Sequence, residues 1–130
     1  MDFRYTPDEQ EFRLEVRRFI AEHCPRELRG FHEIHAEHVH LEMAFLKKMA
    51  DRGWLGAAFP QEYGGLGGER MPMVEYILID ELHRADLEGV AVTLTYIVGI
   101  IGNTLLQVGA EELKQEFLPR MLKAELRFAI

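Results

Sequence analysis

The chain has 130 residues, 48 % of them hydrophobic and 28 % charged, a globular composition with length for one core and not for two ordinary domains. Its formal charge of −7 argues against a nucleic-acid backbone as partner. The single cysteine, Cys24, can close no internal disulfide, and the charge-interrupted opening MDFRYTPDEQEFRLEVRRFI holds no apolar secretory core, so the expected setting is reducing, namely the cytoplasm.

The first predicted helix begins in TPDEQEF, with Thr6 as N-cap, Pro7 at the first helical position and Glu9 completing a capping box. Phe12, Val16, Phe19 and Ile20 then recur at helical spacing on one face, while Arg13, Glu15, Arg17 and Arg18 fall elsewhere, and Pro25 marks the end. The connector FHEIHAEHVH carries His32, His35, His38 and His40. His35 and His38 have the i, i+3 spacing of a helical metal pair, with Glu33 and Glu37 beside them, but no further ligand set is evident and histidines on a solvated connector are the plainer reading. A second helix runs through LEMAFLKKMADRG, with Leu41, Phe45, Leu46 and Met49 inward, Lys47, Lys48 and Arg52 toward its C-terminal end, and Gly53 as the closing turn.

The stretch FPQEYGGLGG poses the question of a phosphate cradle. Such a loop needs amides aimed at an anion from a strand-to-helix turn, with Lys and Ser or Thr after the last glycine. Here the acid Glu69 follows and no strand precedes, so a stiff corner with Tyr63 packed against it is favoured. A third helix is predicted from Pro72, with Val74, Ile77, Leu78 and Leu82 on its buried face, Glu75, Glu81 and Arg84 in water, and an end near Asp86.

The composition then changes. GVAVTLTYIVGIIGNTLLQVG contains no charged residue, as suits a helix sheathed in protein or in lipid. The β-branched run 90–101 is also compatible with a strand, but the length favours a helix. Thr93, Thr95, Asn103, Thr104 and Gln107, with acidic flanks and no nearby Lys or Arg, favour a buried central helix over a membrane span. From spacing alone, core packing is a better reading of this helix than a ligand pocket, although Gly99 and Gly102 leave room and Thr93 or Tyr96 offers a polar end. AEELKQEFLPRMLK forms the last helix, with Leu113, Phe117 and Met121 in a stripe and Pro119 kinking or interrupting it. The fold class is therefore all-α, a bundle of about five main helices around a central apolar one, with no catalytic triad, Cys/His pair or carboxylate dyad that can be located.

Three stretches, MDFRYTPDEQEFRLEVRRFIAEH, GWLGAAFPQEYGGLGG and VGAEELKQEFLPRMLKAELRFAI, occur in an order and at distances that resemble the N-terminal α-helical domain of FAD-dependent acyl-CoA dehydrogenases, over nearly the whole chain. That resemblance implies a longer family architecture of helical domain, small β domain and C-terminal four-helix bundle, usually tetrameric. It implies that residues 1–127 are the helical domain and 128–130 the first residues of the β domain. The family reaction removes an α-proton and a β-hydride from an acyl-CoA thioester, giving a trans-2-enoyl-CoA. The base is a glutamate of the C-terminal domain, so no catalytic residue is assigned in this chain. By register from FLPRM, Val92, Thr93, Tyr96, Ile97 and Ile100 are expected to wall the acyl chain, and Ile130 to begin the flavin-contacting strand. The expected partners are an acyl-CoA, an acceptor of the electron-transfer flavoprotein type, and further copies or domains covering the exposed apolar wall. These 130 residues alone are expected to be inactive and not to hold FAD. Ala110 and Ala124 stand where the family often has a Ser or Thr cap and a closing Gly. The alternative is a stand-alone helical interaction or acyl-binding module.

Overall fold

The structure is a computed structural model describing residues 4–30, 32, 34–67 and 73–127, and every regular element among them is helical. The predicted all-α architecture of five main helices is present: α1 Pro7–His23, α2 Val39–Asp51, α3 Val74–Arg84, a continuous rod Glu88–Val108, and α6 Glu111–Leu122. The rod has three parts, α4 Glu88–Leu94, a π segment Thr95–Gly102 and α5 Asn103–Val108. Short 3₁₀ turns at Arg26–Leu28, Ala36–His38 and Gln61–Tyr63 complete the connections.

Helix α1 starts as its sequence dictates. The Thr6 hydroxyl accepts from the Glu9 amide at 3.2 Å, and the Glu9 carboxylate accepts from the Thr6 amide at 2.8 Å, which satisfies two donors that the helix cannot use itself. Cys24, extended and followed by Pro25, stops it. Its inward stripe of Phe12, Val16, Phe19 and Ile20 packs against Phe45 of α2 and the indole of Trp54, with the Phe19 and Trp54 ring centroids 4.9 Å apart at 69°. Gly53, at φ +79°, supplies the left-handed turn after α2.

One acid and one arginine depart from the reading of the sequence. Glu81, placed in water by periodicity, is 2 % exposed, and Arg13 is 6 % exposed. Each is buried because the other is: the Arg13 guanidinium donates to Glu81, Asp80 and the Tyr5 hydroxyl, and Arg17 Nε donates to the second Glu81 oxygen at 2.9 Å. A buried charge is tolerable only when paired and hydrogen-bonded, and this cluster fastens α1 to α3. Arg84, with further help from Arg13, holds the Asp80 carboxyl below its ordinary pKa.

The glycine-rich stretch is a corner, as expected. Gly64 and Gly67 take φ +93° and +94°, and the Tyr63 ring is buried against them. The amides of Gly64, Gly65, Leu66 and Gly67 donate to the carbonyls of Gln61, Pro60, Gly56 and Phe59. None of the four is left for an anion. Gly68, Glu69 and the expected helix start at Pro72 lie outside the described residues.

Helix α3 buries Val74, Ile77, Leu78 and Leu82 as predicted and gives way at Asp86, which adopts φ +62°. Helix α6 passes through Pro119 without interruption. Its buried stripe is Leu118, Met121 and Leu122, whereas Leu113 is 44 % exposed, so the predicted Leu113, Phe117 and Met121 stripe is correct only at its C-terminal end. Ala110 caps α6 without a side-chain bond, and Ala124 closes it at φ +57°, in a conformation better suited to glycine.

Candidate functional site

The rod is long and apolar enough to cross a bilayer by length and composition, yet 44 % of its most apolar window is buried inside the chain. Leu87, Val90, Ala91, Leu94, Ile97 and Val98 are at most 5 % exposed and face α3, the glycine corner and α6. Placing an uncharged helix this way removes its inward side from water, as apolar burial requires.

The π segment changes the geometry of that helix. Three polar side chains turn back onto carbonyls one turn earlier in the rod: Thr93 Oγ1 donates to the Gly89 carbonyl at 3.2 Å, Thr95 Oγ1 to Ala91 at 2.8 Å, and Asn103 Nδ2 to Gly99 at 3.1 Å. Gly102 lies directly on the Phe59 ring. A Cβ there would stand 3.0 Å from Phe59 Cζ and 2.9 Å from the Ile97 carbonyl oxygen, so the rod seats on the corner only through a residue without a side chain.

The five residues expected to wall a ligand divide into two sets. Val92 is half-buried, while Tyr96 and Ile100 are 36 % and 46 % exposed, and these three share one uncovered flank of the rod. Thr93 and Ile97 are buried, 7 % and 1 % exposed, and pack within the chain. Gly99, half-buried, borders the flank, and Glu75 of α3 reaches it: Glu75 Oε1 lies 3.0 Å from the position a Gly99 Cβ would occupy. Periodicity placed Glu75 in water and gave no hint of this approach, which depends on how α3 crosses the rod. Ile130 lies outside the described residues.

Elsewhere, a cleft of about 390 Å³ between α1 and α3 is lined by Arg17, Arg29 and Arg84, with Ile20 and Glu81. Its cations are committed, Arg17 to Glu81, Arg84 to Asp80 and Arg29 to the Ala85 carbonyl. The connector histidines do not converge: His32 Nδ1 is 2.6 Å from Glu88, His35 and His38 rings are 6.4 Å apart, and His40 is exposed. Among the described residues no group of three possible ligands could hold a metal ion, and Glu33 lies outside them.

Comparison with known proteins agrees with the architecture. Residues 6–125 match the family described as acyl-CoA dehydrogenase, N-terminal domain. Acyl-CoA dehydrogenase FadE29 of Mycobacterium tuberculosis is 34 % identical over 125 residues, covering 96 % of this chain and 30 % of the relative. Among solved structures, the ChsE4-ChsE5 complex from Mycobacterium tuberculosis superposes with a TM-score of 0.74 at 29 % identity, over 97 % of this chain and 30 % of that one. Butyryl-CoA dehydrogenase from Megasphaera elsdenii gives 0.70 at 27 %, over 96 % of this chain and 32 % of that one. The chain thus spans about a third of the length of these proteins, and the part it spans has their helical fold. It belongs to the acyl-CoA dehydrogenase N-terminal domain family.

Proposed function

We propose that the uncovered flank of the rod, formed by Val92, Tyr96 and Ile100, is one wall of an acyl-chain cavity in an enzyme that converts an acyl-CoA thioester to its trans-2-enoyl-CoA. The observation that carries this reading is the asymmetry of the rod: one side is sheathed by α3, the corner and α6, while the other presents an apolar stripe with a phenol at its middle. Exposed apolar stripes of this kind mark surfaces that take a ligand or a partner, and the family membership favours an acyl tail over a protein segment. Thr93 and Ile97 support the wall from behind by fixing the rod against the core.

In this reading FAD is held by residues outside those described, and the electrons leave to an acceptor of the electron-transfer flavoprotein type. The base is assigned to no residue of this chain, and the flavin contacts to none of the described ones. Its own contribution is to bind the tail, orient it and exclude water from one side, so that binding energy far from the thioester positions the reacting carbons.

The test uses the flavin-loaded protein that contains this chain, assayed with straight-chain acyl-CoA thioesters of increasing length and an artificial electron acceptor. Turnover is expected, and Tyr96→Ala or Ile100→Ala is expected to move the preferred length by changing the volume beside the tail. Failure of every thioester to reduce the flavin would remove the reading; an unchanged length profile in both variants would remove the flank from the cavity.

A further inference from the structure

Glu75 sits in the first turn of α3, half-buried, and makes no hydrogen bond or ion pair among the described residues. Helix N-termini favour acids, and that alone would explain a carboxylate in this turn. It does not explain the direction the side chain takes. Instead of leaving for solvent, the carboxylate crosses to the rod and occupies the space over Gly99, beside the Thr95 methyl, which is 3.7 Å from the same Cβ position. Any side chain at Gly99 would meet it. The absence of one keeps an acceptor-only, unpartnered carboxylate at the edge of the flank that carries Tyr96 and Ile100.

An apolar tail laid over that edge would strip water from the carboxylate and return nothing, a loss that weighs against binding. A tail with a hydroxyl at that depth would instead donate to it, in a charge-assisted bond of the stronger class. We propose that Glu75 is a specificity-determining residue, accepting a hydrogen bond from a hydroxyl group on the distal part of the acyl chain where it passes Gly99. The inference rests on the flank being the acyl wall. It adds that the preferred acyl group is hydroxylated and not a plain alkyl chain.

The experiment compares kcat/KM for pairs of straight-chain acyl-CoA thioesters, each with and without an ω-hydroxyl, over a range of lengths, using the flavin-loaded protein that contains this chain. At the length that brings the hydroxyl to Gly99, the hydroxylated member is expected to be preferred roughly tenfold or more. Glu75→Leu is expected to abolish or invert that preference, and Glu75→Gln to retain part of it, because the amide oxygen still accepts. Equal kcat/KM within every pair in the unmodified protein would overturn the proposal without need of a variant, as would a preference that survives Glu75→Leu. Turnover of the plain thioesters together with a length profile that shifts in Tyr96→Ala or Ile100→Ala upholds the wall in either case, so a failure of this inference is distinct from a failure of the proposed function.

Discussion

The Tyr63 hydroxyl donates to the Glu111 carboxylate, 2.9 Å away, and so ties the glycine corner to the first turn of α6. Burial of the ring and this bond push the phenol up to about 12. On the other side, Gln115 first and Tyr63 second hold the Glu111 carboxyl below its ordinary value. The linkage has two signs. The Tyr63 contribution is present below the phenol's usual pKa and is lost as pH rises through about 12, whereas that of Glu111 is present above the usual carboxylate range and is lost as pH falls. Ultraviolet difference titration of the chain against Tyr63→Phe is expected to show a missing phenol that ionises near pH 12; one that ionises at the ordinary value of 10.0 would contradict the bond.

Gly65 is required by a close approach, not by its dihedral angles. A Cβ built there would stand 2.1 Å from the Phe59 carbonyl oxygen and 2.8 Å from that of Gly56, both backbone atoms that cannot swing away. Gly64 has open space around its Cβ position but φ +93°. Gly65→Ala is therefore expected to destabilise by about 3 kcal/mol or more, and Gly64→Ala by about 1–2 kcal/mol from the left-handed conformation alone. Urea midpoints of the two variants decide the matter, and equal losses would mean that the corner relaxes around Gly65.

Much of this was legible in the residues. Thr6, Pro7 and Glu9 fixed the start of α1 because a capping box is local chemistry, and the inward faces of α1, α2 and α3 followed from period alone. The uncharged run 89–109 announced a sheathed rod for the same reason. What periodicity could not supply were features created by partners distant in sequence. Arg13 and Glu81 are buried only because α1 lies on α3, and Glu42 only because α2, the rod and Arg127 enclose it. The π segment was hidden too, because nothing in the uncharged run marks where its backbone bonds widen. In α6 the stripe was misplaced because burial concentrates at Leu118, Met121 and Leu122, on either side of Pro119 in the last turns of the helix.

The N-terminus of α6 offers a gain. Ala110 already has the extended backbone of a cap, φ −66° and ψ 150°, but no side-chain acceptor for the amides of the first turn. Ala110→Ser is expected to stabilise by about 1 kcal/mol, which for a domain of this size raises Tm by roughly 3–5 °C. Serine is a better choice than aspartate here, because Glu111 and Glu112 follow directly and a third acid would repel them. A Tm equal to or below that of the parent chain would show that the cap position is occupied in another way.

Glu42 sets a pH dependence of opposite sign to Glu111. Its carboxyl is fully buried; Oε1 accepts from Arg127 at 3.2 Å, and Oε2 has no hydrogen-bond partner. Burial raises its pKa above the ordinary 4.5, and Arg127 offsets only part of that rise. A group whose folded pKa exceeds its unfolded value binds its proton more tightly when folded. Its favourable contribution is complete below pH 4.5 and declines as pH climbs through the raised value, where the charge must form in an enclosed site. Glu42→Gln keeps an oxygen for Arg127 and never ionises, so it is expected to match the parent chain at pH 4 and to exceed its stability at pH 7. Arg127→Met removes the offsetting charge and is expected to lower stability at pH 7 by about 1–3 kcal/mol, with a smaller loss at pH 4. Thermal unfolding of the three proteins across that range separates the outcomes. A gap between parent and Glu42→Gln that is constant with pH would mean the carboxyl titrates as it does in water, and that the enclosure around it opens to solvent.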